Sequence, residues 1–300
     1  MRNWLLGVGL AFSLVGGTVV TPTLPPALLS TATALPTPTE TPSPSVTPTL
    51  TPALPLPEAS AIFTLTVLYD NVAYDARLQT DWGFACLVQG PEQTVLFDTG
   101  GKGDLLLQNM RALGLDLQAV DVVFLSHQHN DHTGGLADFL AENPHVTVYL
   151  LTSFPDAIKD TVRRAGAPLV EVTDPLPISA WAHSTGALGT QISEQALALT
   201  TPRGLVVITG CAHPGIAALA QQAQAVTSGD LYLALGGFHL REANAAQIAA
   251  TIAELQALGV QYIAPSHCTG DAARRALAES FGPAYFESGA GQVFVIAPEE

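Results

Sequence analysis

Cysteine is scarce in this chain, with three among 300 residues. So few, and an odd number, build no disulfide framework, and stability has to come from elsewhere, a buried core above all. Basic residues are scarce as well. Eleven Lys and Arg stand against 26 Asp and Glu, for a formal net charge of −15. A surface of that sign repels nucleic acid and anionic membranes, and no basic patch compensates. The partner to expect is a small-molecule substrate. The apolar run at 4–20 is broken only by Gly, Ser and Thr, and it falls slightly short of the about 20 residues of a comfortable membrane span. No cysteine lies near it, which excludes a lipoprotein anchor.

Arg2 followed by that run has the charged and apolar regions of a signal peptide or an N-terminal membrane anchor, read here as 1–20. Ala32-Thr33-Ala34 offers a small-x-small cleavage option. From 21 to 57 the chain is almost entirely Thr, Pro, Ser, Ala and Leu, with one Val and a single charge, Glu40. Such a composition buries no core and forms an extended, semi-rigid tether. The expected protein is secreted, or extracytoplasmic and membrane-anchored, with a stalk carrying one catalytic domain at 58–300. Arg2 and Glu40 cancel, so that domain carries the whole negative charge.

The chemistry concentrates in Ser126-His127-Gln128-His129-Asn130-Asp131-His132-Thr133-Gly134-Gly135. Imidazole and carboxylate are the donors that suit zinc and related first-row ions. The run follows the apolar segment 120–125, which reads as a buried strand, and a strand that ends in a ligand-dense loop is where α/β proteins place chemistry. Residues two apart in extended chain project to one side, so His127 and His129 can grip one ion together. The chain then turns, and Asp131 and His132 face elsewhere, toward a second ion. A zinc site needs three or four protein ligands, so further histidines are required downstream.

Three candidates follow short apolar runs and precede helix-like segments. They are His213 in Gly210-Cys211-Ala212-His213-Pro214-Gly215, His239 in Gly236-Gly237-Phe238-His239-Leu240, and His267 in Ser266-His267-Cys268-Thr269-Gly270. Recurring strand–ligand–helix units gather distant residues at one sheet edge. His145 and His183 lack that context and read as ordinary surface or packing residues. Cys211 and Cys268 read as small buried packing residues.

With these residues in hand, the chain resembles the metallo-β-lactamase-fold superfamily, whose hallmark is H-x-H-x-D-H after a strand, and within it the dihydropterin synthase-like branch of the methanopterin pathway. The matching pieces run from Leu96-Phe97-Asp98-Thr99-Gly100 through Glu194-Gln195-Ala196-Leu197 to His267-Cys268-Thr269-Gly270, about 62–297 in all. The resemblance implies a first metal held by His127, His129 and His213, and a second held by Asp131, His132 and His267. It also implies that Asp98 supports the ligands from a neighbouring strand. Many members bridge the two ions with an aspartate at a strand end, where this chain has Gly-Gly-Phe-His. Either His239 substitutes as a ligand or solvent alone makes the bridge; Asp230, before its strand, is a poor replacement. Di-iron relatives carry a carboxylate at the place of His129, so histidine there favours Zn2+, with Mn2+ or Fe2+ as alternatives.

Periodicity predicts strands near 62–69, 84–88, 94–97, 120–125, 146–151, 169–172, 196–199, 205–208, 231–235, 262–264 and 292–296. Helices are predicted near 104–113, 136–140, 155–165, 216–226, 243–258 and 271–281. Antiparallel edges with crossover helices fit an α/β (α+β) fold, the αββα sandwich of two mixed β-sheets flanked by helices that the resemblance also implies. Segment 175–191 is polar and irregular, either a substrate loop or a plain surface connection. No Ser-His-Asp or cysteine-nucleophile arrangement competes with metal. The leading expectation is an exported hydrolase in which metal activates water against a small ester, phosphoester, lactone or amide. Asp131, with His132 beside it, steers the attack. The alternatives are a pterin–aminobenzene condensing transferase, whose pathway is intracellular, and a non-catalytic exported metal-binding module, against which the intact motif argues.

Overall fold

The computed structural model describes residues 60–299. The signal or anchor read at 1–20, the tether at 21–57 and the first two residues assigned to the domain lie outside them. The chain opens with β1 (Phe63–Tyr69), β2 (Ala85–Gln89) and β3 (Thr94–Phe97). Helices then alternate with strands: α1 (Gly103–Ala112), β4 (Val122–Phe124), α2 (Asn130–Thr133), α3 (Leu136–Glu142), β5 (Thr147–Leu151), α4 (Asp156–Ala165) and β6 (Leu169–Val172). The second half supplies β7 (Leu176–Pro177), β8 (Ala182–Ser184), β9 (Leu197–Thr201), β10 (Gly204–Thr209), α5 (Ile216–Thr227) and β11 (Leu231–Gly237). It ends with α6 (Ala245–Ala257), β12 (Tyr262–Ser266), α7 (Asp271–Phe281) and β13 (Val293–Ile296).

Two mixed sheets result. The first runs β13-β1-β2-β3-β4-β5-β6, and the second β12-β11-β10-β9-β8-β7. Strands β3 to β6 are parallel to one another, as are β10, β11 and β12, while the remaining pairings are antiparallel. The period-two alternation of each strand divides the core. In β3, Val95 and Phe97 face the second sheet while Leu96 faces the outer helices. In β10, Val206 and Ile208 join the layer between the sheets, and Leu205 and Val207 the opposite outer layer. Helices α1, α3 and α4 cover the first sheet and α5, α6 and α7 the second. This is the αββα sandwich expected from the sequence. Among the described residues no helix is long and apolar enough to cross a membrane.

One expectation needs correction. Segment 175–191 is not irregular throughout: β7 and β8 pair within it and extend the second sheet. Trp181 between them is buried, with its ring edge-on to Phe63 at 5.2 Å. Strands of two and three residues are too short to show an alternation, which is why the pattern missed them. The motif itself also holds an unexpected helical turn, α2, entered from the extended His129.

Candidate metal centre

Every residue singled out for chemistry, except the outlying His145 and His183, follows the C-terminal end of a parallel strand. Asp98 follows β3, the H-x-H-x-D-H run follows β4, and His213, His239 and His267 follow β10, β11 and β12. Sheet edges of this kind are where open α/β folds place ligands. The backbone there is strained: Asp98, Ala212, His239 and His267 are four of the five non-glycine residues with positive φ among the described residues. Each such conformation costs about 1–3 kcal/mol and persists only when the surroundings enforce it.

The side chains sort into neighbouring clusters. His127, His129 and His213 offer ring nitrogens within 4.8 Å of one another, as do the donor atoms of Asp131, His132, Cys211 and His267. His127 Nε2 and His213 Nε2 stand 3.1 and 3.2 Å from His129 Nδ1. The rings of His127 and His132, one from each cluster, are 4.2 Å apart.

Hydrogen bonds around the clusters decide which nitrogens are bare. Asp98 Oδ1 accepts from Ser126 N, and its Oδ2 accepts from Ser126 Oγ, both at 2.7 Å. With its one hydrogen given to the carboxylate, Ser126 Oγ must accept from His127 Nδ1 at 3.0 Å, leaving His127 Nε2 as a lone pair. Asp98 Oδ2 also accepts from His132 Nδ1 at 2.7 Å, so His132 Nε2 is bare too. Asn71 does the same for His267. Its Nδ2 donates to the His267 carbonyl, and its Oδ1 accepts from His267 Nδ1, both at 3.0 Å. His267 Nε2 is then buried without a hydrogen bond, 3.2 Å from Asp131 Oδ2.

Such an arrangement fits a cation. Nitrogens of three buried imidazoles and a carboxylate converge, a donor set that suits a first-row cation. Burial and the surrounding imidazoles hold His127 well below the usual histidine range. Burial, His239 and His129 lower His213 to about 4. Burial opposes ionisation of Asp131, but His267 and His132 outweigh it and keep the carboxyl charged. The neutral imidazole and the ionised carboxylate are the forms that bind metal.

The roles of three features escaped the sequence reading. Glu194, quoted there only as part of a matching piece, is fully buried and accepts backbone N–H bonds from Gly210, Cys211 and Ala212 on Oε1 and from His213 on Oε2, at 2.8–3.1 Å. It thereby shapes the loop that carries His213, although burial pushes its own pKa up to about 7 against the pull of those amides. The only signal was a carboxylate directly before an apolar strand. Asn71 is the second, and nothing local in the sequence marks it. The cysteines are the third: both are buried as expected, yet they do more than pack. Cys211 Sγ stands 3.3 Å from His132 Nε2, and Cys211, His239 and Cys268 form a third group of donors. His239 joins that group, not Asp131, His132 and His267, and its ring lies 4.2 Å from His213. Asp230 precedes β11, at the far end of the strand from the centre.

Comparison with known proteins agrees with this geometry. Residues 83–212 match the metallo-beta-lactamase superfamily. The solved structure of Tm1679, described as a metal-dependent hydrolase of the beta-lactamase superfamily, superposes with a TM-score of 0.66 at 26% identity, covering 78% of this chain and 99% of that one. The chain carries a metallo-β-lactamase superfamily domain match and shares that fold. Another relative within the superfamily branch named above is the 7,8-dihydropterin-6-methyl-4-(β-D-ribofuranosyl)-aminobenzene-5'-phosphate synthase of Methanocaldococcus jannaschii. It is 26% identical over 76% of this chain and 94% of its own length. The metallo-β-lactamase fold protein YhfI of Bacillus subtilis, with a TM-score of 0.58 at 14% identity over 78% of this chain and 99% of its own, shares the fold.

Two cavities flank the centre and share His239. One, of about 620 Å³, is lined by Leu188, Gly189, Gln191, Ile192 and His213. The other, of about 430 Å³, is lined by Trp82, Arg241 and Cys268 among others. The end of segment 175–191 therefore lines a cavity that His213 also borders.

Proposed function

We propose that this protein is a metal-dependent hydrolase of the metallo-β-lactamase superfamily, acting on a small ester, phosphoester, lactone or amide, exported and held on its N-terminal tether. The observation that carries the reading is the convergence of bare imidazole nitrogens of His127, His129 and His213 beside Asp131, His132 and His267. Those two sets would hold the ions, and the ions would supply Lewis acidity for activating water and polarising a substrate oxygen. Zinc suits the nitrogen-rich set best, with manganese or iron as the other choices.

The chain's own residues do the rest. Asp98, through Ser126 and directly, fixes the rings of His127 and His132 with Nε2 outward. Asp131, ionised and partly exposed, accepts a hydrogen bond from the attacking water and so orients its lone pair. Loop 188–192 and His213 border the cavity in which a small substrate fits. Export is supported by Arg2 and the apolar run at 4–20, and the −15 charge disfavours nucleic acid as substrate.

A second reading, transfer between a pterin and an aminobenzene, is supported by the 26% identity to the Methanocaldococcus jannaschii synthase. Purified protein assayed against esters, phosphodiesters, lactones and amides, with and without chelator, separates the two. Turnover that is lost on chelation and restored by zinc is expected. Activity insensitive to chelator, or condensation of pterin with aminobenzene without any hydrolysis, overturns the hydrolase reading.

A further inference from the structure

We infer that Cys211 is a thiolate donor of the second cluster, closing it with Asp131, His132 and His267 around one soft divalent ion and leaving the first cluster as the open, reactive one. The inference rests on the metal reading above and goes further, because it assigns different work to the two ions.

The donor count points this way. Zinc held by four protein donors is closed and structural, whereas three donors leave a position for water or substrate. The first cluster has three, His127, His129 and His213, and the second has four once Cys211 is included. Access agrees with the count. In the first cluster only His127 is buried, while His129 and His213 are partly exposed and His213 borders the 620 Å³ cavity. In the second, His132, Cys211 and His267 are buried and only Asp131 is partly exposed.

Steric relations exclude a bridging carboxylate from Gly236 and Gly237 and leave the second cluster to other donors. The end of β11 has no room for one. A Cβ at Gly237 would stand 2.7 Å from Cys268 Sγ and 3.1 Å from Cys211 Cα, and would also collide with the Gly210 carbonyl. At Gly236 the φ of +117° excludes ordinary side chains, and a Cβ there would run into the Thr209 carbonyl. Cys268 Sγ and the backbone of Cys211 occupy that volume instead.

Cys211 also belongs to the group with His239 and Cys268, so one assignment has to win. Cys268 Sγ is engaged, donating to the Cys211 carbonyl at 3.4 Å. Cys211 Sγ faces His132 Nε2, bare because its partner nitrogen is tied to Asp98. His267 Nε2, buried and without a hydrogen bond, faces the same space. His239 is exposed and offers no comparable enclosure. A thiolate in the set selects zinc over iron or manganese.

Cobalt substitution tests this without any substrate. The wild-type protein loaded with Co2+ should show a thiolate-to-cobalt charge-transfer band in the near ultraviolet. Cys211→Ser should lose the band and its second equivalent of bound cobalt while keeping the first. Cys268→Ala and Cys86→Ala should keep the band. A wild type that binds both equivalents without the band overturns the inference and leaves the hydrolase reading standing, as does a band that disappears with Cys268 and survives in Cys211→Ser. If Cys211→Ser does not fold, the wild-type band together with Cys268→Ala still decides. A wild type that binds no cobalt overturns both.

Discussion

Asp98 and His132 are joined in the fully buried interior, carboxylate Oδ2 to ring Nδ1, at 2.7 Å. That bond decides which nitrogen His132 turns toward the centre, and through Ser126 the same carboxylate decides it for His127. In Asp98→Asn, an amide nitrogen in the place of Oδ2 would face two donors and reverse both choices. Metal affinity should fall by about 10–100-fold, as for other residues that orient ligands. Competition with a chromophoric chelator measures it, and an affinity equal to wild type would show that Asp98 only fills space.

The two clusters should empty separately. His129→Ala removes a donor from the first group and His267→Ala one from the second, so each variant should lose one bound equivalent by elemental analysis. His239→Ala should lose neither, because His239 lies in neither of those groups. Loss of metal from His239→Ala would return that residue to the ligand set.

Glu194 holds the 210–213 loop by four backbone N–H groups. In Glu194→Gln an amide N–H₂ replaces one acceptor and leaves buried donors without partners, a loss of about 1–3 kcal/mol. Urea unfolding should show a lower midpoint with an unchanged slope. An unshifted midpoint would mean the loop holds its shape without the carboxylate.

Metal-free protein should lose stability in acid. Burial and neighbouring imidazoles hold the folded-state pKa of His127 well below 6.5, and burial, His239 and His129 hold that of His213 to about 4. A base with a depressed folded pKa contributes fully above its unfolded value and loses that contribution as pH falls through the folded one. Urea midpoints should therefore fall as pH drops from 6.5 toward 4, less steeply in His213→Asn. A slope equal to wild type in that variant would remove His213 from the account.

Trp181 closes the layer between the sheets near β8, pressed against Gly90 and Phe63. Trp181→Ala should destabilise the protein by about 3–5 kcal/mol, the usual loss for a large buried aromatic. Thermal or urea unfolding reads this directly. A loss under about 1 kcal/mol would mean the site collapses without it.

How much of this was legible in the sequence follows from how far each signal reaches. The long strands and helices announce themselves locally, because apolar alternation over four or more residues needs no knowledge of partners. Strands β7 and β8 do not, since two or three residues carry no period. The histidine motif was legible because spacing alone brings His127 and His129 to one side of an extended chain. The grouping of His213 with that pair, and of His267 with Asp131 and His132, came from the family resemblance. Asn71 had no such marker, and Glu194, though part of a matching piece, carried no stated role. Asn71 meets His267 across 196 positions, and Glu194 meets His213 across 19, so only folding makes either contact meaningful.

The sequence by itself determined the donor types, the strand–ligand–helix order and the sandwich they imply, because these depend on residue chemistry and local period. Tertiary structure alone decided which nitrogen each ring offers, and that Cys211 stands with the ligands instead of in the packing. A tautomer is set by whatever lies behind the ring, and a thiol by whatever lies in front of it. Neither is written in the neighbouring letters.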